Sequence, residues 1–477
     1  MRKIIFLILI IPEFLFSQEC NCIDNFSWLK KTFEENDAGY PWIIEKKGLE
    51  NYQAFCDSIQ LIAKKSIDIF ECQQILSDWT KYMRKGHIGI YINMDNSQKN
   101  DDSGLSDAEI IEKYSNTESV LYDSSLINQL EYVDNLQGIW KSDNYIIGII
   151  KDTLNSEREY VGFIISSGIP QWQPKQVKIE MFKKDEELIA NYYMQDHSIR
   201  KFKVEQLSDN KIKMGSVFLI RHRSFSKNKI DSLEWKITTA TNPMIFELSD
   251  KTMLLRIPSF KFSYKSAIDN ILKEYKEVIL THDNLVLDLR DNGGGSDGSY
   301  RNLIPFLYTN PINNINVEYL STPLNNSHWS GYDKKSFLIK LILKNKTKKL
   351  NKNLGKYVKI WEKEFFVTEL KEVYKKPRRV YILVNENCAS TTEQFLLASK
   401  QSTKVKIYGK QTFGALDVSN VRKAISPDKM FALSYCVTRT LRPAKHRIDG
   451  VGIKPDVIIP VTISSWINYI QTEIEKN

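Results

Sequence analysis

The sequence predicts an α/β protein: a strand-and-helix core that carries an N-terminal helical region and an inserted β-rich domain, a barrel or a sandwich. Three observations predict it. Between residues 18 and 85 apolar residues recur at helical spacing, as in Phe26, Leu29 and Phe33, or Ile59, Ile62, Ile67 and Phe70. Across 130–244, short β-branched and aromatic runs alternate with turn signals about every ten residues. From 245 onward, apolar strands such as NLVLDLR and RRVYILVN alternate with helical patterns such as YKSAIDNILKEYKEVI.

Taken in order, residues 1–17 read as an export signal. Arg2 and Lys3 precede an apolar run from Ile4 to Ile11, and Leu15-Phe16-Ser17 offers a cleavage site. The run is too short to cross a bilayer, which takes about 20 helical residues. Membrane insertion should therefore not outlast removal of the signal, and the protein is expected in the periplasm, on the cell surface or secreted. Glu19 is not the small residue that precedes a lipid-anchored cysteine, which argues against lipidation at Cys20. The helical region 18–92 breaks near Gly39-Tyr40-Pro41. A polar linker follows over 93–129, containing NMDNSQKNDDSG. The β-rich domain spans 130–244, with runs such as EYVGFIISS and KIKMGSVFLIRH. The core occupies 245–477, where KVKIYG, FALSYCVTRT and DVIIPV complete its strands.

At 477 residues, 42% hydrophobic and 26% charged, the chain is neither disordered nor polytopic, and it is long enough for several cores. The net charge of +9 is unevenly spread. Residues 333–379 hold 16 Lys or Arg against 5 Asp or Glu, a local +11, so the remainder carries −2. That is one basic segment on a near-neutral protein, not a nucleic-acid binder. Six cysteines suit an exported chain, and the early four (Cys20, Cys22, Cys56, Cys72) allow three pairings. No Cys/His spacing suggests zinc, so neither metal nor cofactor is expected.

Two motifs carry chemistry. In LVLDLRDNGGG, glycines at a strand's end let backbone N–H groups turn toward an anion. In VNENCASTTEQF, Ser390 stands where a buried strand gives way to a helix, so its hydroxyl and the next N–H, of Thr391, face one cleft. By itself Ser390 reads equally as a helix cap, with Glu393 completing an S-x-x-E box.

Together with LLRIPSF, the YGKQTFG turn and the closing GVGIKPD, these motifs resemble the C-terminal processing (tail-specific) serine protease superfamily over roughly 245–460. The resemblance implies a crotonase-like core and hydrolysis of polypeptides through an acyl-enzyme. It places the nucleophile on Ser390 and the oxyanion donors on the N–H of Thr391 and of Gly293 or Gly294. One branch uses a lysine base after the T-F-G turn. Here Ala415 follows Gly414, and Lys410 lies five residues before it. The tricorn-core-like branch instead takes a histidine after the N-terminal helical section, which falls on His87 in Gly86-His87-Ile88-Gly89. Its orienting carboxylate falls on Asp449, where that branch usually has Glu. His446, near Asp449 in sequence, is the rival base. There is no GLGF-like loop of a PDZ domain, and the β-rich region takes its place. The alternatives are a catalytically silent binding protein on the same fold, or a crotonase-like acyl-transfer enzyme. Residues 333–379 fall between the glycine loop and the nucleophile strand; SFLIKLILK and LGKYVKIWEKEFF are expected to form amphipathic helices that cap the site.

Overall fold

The computed structural model describes residues 20–475, except 94–101, 103–104, 121–135, 143, 154, 185–186, 209–210, 215–216, 222–231, 239, 328–336, 361, 461 and 464. The expected export signal, 1–17, lies outside the described residues. Four helices open the chain: α1 (Cys22–Asn36), α2 (Tyr40–Lys47), α3 (Leu49–Ala63) and α4 (Ile69–Met83). The side chain of Asn21 caps α1 by accepting from Asp24 N–H, and Pro41 lies in the first turn of α2, where its missing N–H costs nothing. Their inner faces bury Phe26, Leu29, Phe33 and Trp79, and the rings of Phe33 and Trp79 meet edge to face at 5.4 Å.

Of the four early cysteines the structure joins only Cys22 to Cys72 and leaves Cys20 and Cys56 as buried thiols, so none of the three complete pairings forms. The bond ties the start of α1 to the start of α4 across 50 residues. A cross-link of that span restricts the unfolded chain by about 4 kcal/mol. The double variant Cys22→Ser/Cys72→Ser should accordingly lose most of that amount, read as a lower denaturant midpoint with a steeper slope, since the unfolded chain freed of the link exposes more surface.

After α4 the chain enters β1 (Gly89–Ile92). The segment read as linker contains a helix, α5 (Asp107–Lys113), started by a reciprocal box between Ser106 and Glu109. The β-rich region is a closed barrel, not a sandwich. Its strands are β2 (Gly138–Ser142), β3 (Tyr145–Lys151), β4 (Tyr160–Ser167), β5 (Val177–Lys184), β6 (Glu187–Tyr193), β7 (Ile199–Ser208), β8 (Lys211–Met214) and β9 (Val217–Arg221). Each pairs antiparallel with the next, and β9 returns to β2 through Trp140 opposite Arg221, so no edge is left open. Ile147, Ile149, Ile164, Met181 and Leu219 fill the interior. A helix, α6 (Ser232–Thr238), leads out of the barrel.

The central sheet has six strands in the order β10 (Met244–Ser249), β11 (Thr252–Arg256), β12 (Asn284–Asp288), β17 (Arg379–Val384), β18 (Val405–Gly409) and β21 (Val457–Ile458). All but β10 run parallel. The uninterrupted apolar run of NLVLDLR follows, because both faces are covered. Leu285 and Leu287 point to one side, where α7 (Lys265–Thr281) and α9 (Thr391–Ser399) pack; Val286 points to the other, where α6 and α10 (Trp466–Glu475) pack. Every parallel strand delivers its carboxyl end to the same edge of this sheet, which is where loops of an α/β sheet gather to form sites.

A second sheet runs β1, β20 (Phe431–Thr440), β14 (Val317–Leu320) and β15 (Tyr357–Lys359), with β19 (Val418–Ile425) along the other side of β20. The N-terminal helices cover it, packing Phe26, Phe33 and Trp79 against Leu433, Tyr435 and Val437. Part of the basic segment joins this layer. Its first half is helical, α8 (Phe337–Asn351), with Leu350 buried. Its second half is not: LGKYVKIWEKEFF yields β15 and β16 (Phe365–Thr368), the latter paired with β13 (Ile312–Ile315). Aromatic and β-branched residues suit a pleated surface, and Val358 alternates inward opposite Tyr319. Among the described residues no helix is long and apolar enough to cross a membrane.

Candidate active site

Ser390 lies between β17 and α9 with φ 59° and ψ −122°, a conformation that costs a residue with a side chain about 1–3 kcal/mol. Its surroundings impose that conformation. Ser390 N–H donates to Glu393 Oε2 at 3.1 Å, and Ala389 N–H donates to the carbonyl of Asn292 at 3.2 Å. Glu393 is more than a helix cap. Its carboxylate also accepts from Thr412 Oγ1 (2.6 Å), Gly414 N–H (2.8 Å) and Ala415 N–H (2.9 Å), pinning the T-F-G turn beneath the serine.

His87 arrives from the far end of the chain. Its Nε2 is 3.0 Å from Ser390 Oγ, and its Nδ1 is 2.6 Å from the carbonyl oxygen of Val418. A carbonyl can only accept, so Nδ1 carries the proton and Nε2 presents its lone pair to the serine. Burial lowers the pKa of His87 below its ordinary value; the Val418 carbonyl and the Asp449 carboxylate push the other way. The residue also has φ 57°, held by Arg84, which donates to the carbonyls of Gly86 (2.9 Å) and His87 (2.9 Å) while pairing with buried Asp37 at 2.5 Å.

Asp449 makes no direct hydrogen bond to His87. Its Oδ1 accepts from the N–H groups of Leu416 and Asp417 (2.6 Å each) and its Oδ2 from Val418 N–H (3.1 Å). Asp417 reciprocates by accepting from Ile448 N–H (2.5 Å) and Asp449 N–H (2.8 Å) and by pairing with Arg442. The carboxylate therefore fixes the loop whose Val418 carbonyl holds the imidazole.

The two glycines differ. Gly294 N–H is taken by Asn292 Oδ1 at 3.0 Å. Gly293 N–H and Thr391 N–H have no hydrogen-bond partner among the described residues. Gly294 supplies room: at φ 96°, a Cβ there would lie 2.8 Å from both Ser390 Cβ and Thr391 N. Asn292, which sequence reasoning missed inside DNGGG, organises the corner by also accepting from Phe260 N–H (3.1 Å) and Thr392 Oγ1 (2.9 Å). The barrel reaches the same loop, since Lys141 Nζ of β2 is 3.7 Å from Asp291 Oδ2. Burial alone would push the Asp291 carboxyl up, but Lys141 and the amides of Asn387 and Asn385 hold it well below the usual range.

The rival residues lie elsewhere. Lys410 Nζ pairs with Glu386 at 3.4 Å, and His446 sits exposed in the short turn Ala444–His446. Among the described residues no group of three His, Cys, Asp or Glu is placed to hold a metal ion. What the arrangement offers is a hydroxyl, a neutral imidazole with its lone pair toward it, and two backbone N–H groups of the adjoining turns that have no partner among the described residues.

Within this α/β core, residues 251–459, fewer than half of the chain, match Peptidase family S41. A probable CtpA-like serine protease of Staphylococcus epidermidis is 38% identical over 109 residues, 21% of this chain and 22% of that protein. A probable CtpA-like serine protease of Staphylococcus aureus is 40% identical over 91 residues, 19% of this chain and 18% of that protein. The match thus spans about a fifth of these relatives' length. Among solved structures, mature CPAF complexed with lactacystin superposes with a TM-score of 0.52 at 12% identity, covering 96% of this chain and 97% of that one. Mature CPAF alone gives 0.51 at 12% identity, covering 94% and 95%. At that identity the likeness is one of fold.

Proposed function

We propose that this protein is an exported serine endopeptidase that hydrolyses polypeptides through an acyl-enzyme on Ser390. The observation that carries the reading is the 3.0 Å approach of His87 Nε2 to Ser390 Oγ, at the mouth of a domain matching a peptidase family. In the reaction, Ser390 Oγ attacks the scissile carbonyl as His87 Nε2 takes its proton. Charge then develops on the carbonyl oxygen, where the N–H groups of Gly293 and Thr391 stabilise it. His87 returns the proton to the departing amine, and a water repeats the sequence to release the acyl group. Asp449 acts through Val418, keeping the imidazole in the tautomer that can accept. This is the tricorn-core-like arrangement, on a core we read as crotonase-like with the barrel standing where relatives carry a PDZ domain. The residues 1–17 and the Cys22–Cys72 bond support export, since disulfides persist in oxidising compartments.

A fluorophosphonate probe tests the assignment. It should label the wild type and leave Ser390→Ala unlabelled. Equal labelling of the two would overturn the nucleophile, and absence of labelling in both would favour a silent binding protein.

A further inference from the structure

The proposed reaction makes no use of the basic segment. Residues 334–361 hold ten lysines and neither an arginine nor an acidic residue. Along α8, Lys344 and Lys348 stand four residues apart, and Lys352 continues the row, its N–H donating to the Lys348 carbonyl at 3.2 Å. All three are exposed, as is Lys356. Among the described residues none of these four pairs with a carboxylate, whereas Lys359 pairs with Glu364 at 2.6 Å. Like charges four apart on a helix repel, a cost that a negative surface relieves. The row ends in an apolar tip. Leu354 is 49% exposed between Lys352 and Lys356. Its turn is fixed, because Gly355 N–H donates to the Ser321 carbonyl at 2.7 Å and Lys356 N–H to that of Asn353 at 3.1 Å. Lys349 Nζ donates to the Lys359 carbonyl at 3.0 Å, which brings the helix next to Glu364. The two residues after Glu364, Phe365 and Phe366 of β16, are 58% and 49% exposed.

We propose that these residues form a peripheral docking surface for a membrane rich in anionic lipid. Lysine is a compact point charge with no fork to match a single carboxylate or phosphate, so a set made of lysine alone suits spread negative charge. A lipid surface presents headgroup charge above an apolar layer, which matches lysines standing around an exposed leucine and beside exposed aromatic rings. A second copy of the chain, in a two-fold contact, would set these lysines against one another. With +11 over 333–379 and −2 elsewhere, the molecule approaches a negative surface with this segment leading. The contact is interfacial, since no described helix can cross a membrane. It stands independently of the peptidase reading.

Co-sedimentation with vesicles tests the proposal. The protein should partition onto vesicles of equal parts phosphatidylglycerol and phosphatidylcholine, and not onto phosphatidylcholine alone. Each lysine near an anionic surface strengthens binding about fivefold, so Lys344→Gln/Lys348→Gln/Lys352→Gln/Lys356→Gln should lower the partition coefficient by at least about tenfold. Leu354→Ser should lower it roughly fivefold through lost apolar contact. Added salt should release the wild type, since exposed charges are screened beyond about 8 Å at physiological ionic strength. Lys64→Gln/Lys65→Gln, exposed on the N-terminal helices, should leave partition unchanged. Thermal melts report whether each variant folds. Equal partition onto both kinds of vesicle, or a quadruple variant that partitions like the wild type, would overturn the surface. Capture of polyglutamate without capture of the anionic vesicles would also overturn it, in favour of an acidic protein partner. Fluorophosphonate labelling is a separate readout: a protein that docks on the vesicles but is not labelled keeps this inference and loses the hydrolase reading.

Discussion

Replacing His87 with alanine is expected to lower kcat/KM for a peptide substrate by about 10²–10⁴-fold, the usual contribution of a positioned general base. The loss follows from position as much as from basicity. With Nδ1 donating to Val418 at 2.6 Å, the ring has a single orientation in which Nε2 meets Ser390, and no neighbouring residue can take over that contact. Lys410, held by Glu386 at the surface, should tolerate alanine with activity close to wild type. The acid limb of the pH profile supplies a second reading. Because burial depresses the His87 pKa, the imidazole remains neutral until the pH drops below the ordinary histidine value of about 6.5. Activity should hold at neutral pH and decline only below that point, as the lone pair is lost to a proton. A profile that declines on the acid side well above pH 7, or a Lys410→Ala variant weaker than His87→Ala, would refute His87 as the base.

The second large effect should come from a methyl group. In Gly294→Ala the new Cβ would lie 2.6 Å from the Ala389 carbonyl and 2.8 Å from Ser390 Cβ and Thr391 N, on a backbone whose φ of 96° already resists a side chain. Backbone has to shift, and the groups crowded are the Ala389 carbonyl and the Thr391 N–H that would receive the developing oxyanion. Loss of one such donor costs about 10²–10³-fold in kcat. The split between kcat and KM identifies the cause, since an oxyanion donor acts on the transition state and leaves ground-state binding nearly intact. Gly298→Ala is the control: its Cβ would meet only Ser296 Oγ at 3.5 Å. If Gly294→Ala retained wild-type kcat, Thr391 N–H would not be an oxyanion donor.

Much of this site was legible because its parts are local. A strand–serine–helix junction and a strand that runs into glycines are written in consecutive letters, as is the buried strand NLVLDLR. The contacts that orient the pair were not legible, since backbone atoms make them. Any residue at 418 would offer His87 a carbonyl, so the letter Val carries no signal. The same holds for the three N–H groups that Asp449 gathers, which makes a carboxylate expected at the histidine a brace for a loop. Glu393 was read as a cap from its spacing, and only the fold reveals that it also pins the turn at Gly414. The basic segment misled for a different reason. Its mix of lysines and apolar residues matches a helix surface, yet β14 offered Tyr357–Lys359 an open edge, and tertiary pairing overrode the local pattern.

His87 and Ser390 are 303 residues apart, and this separation bears on when the proposed pair can form. At about 5–20 residues per second, synthesis of that interval takes on the order of 15 to 60 s. Throughout it, a chain with His87 already made has no serine to activate. The Val418 carbonyl and the Asp449 brace come later still, and β20, against which β1 must pair to set His87 in place, is among the last strands made. A chain still short of Ser390 therefore carries only half of the His87–Ser390 pair, and the pair takes the geometry described only once the late strands of both sheets are in place.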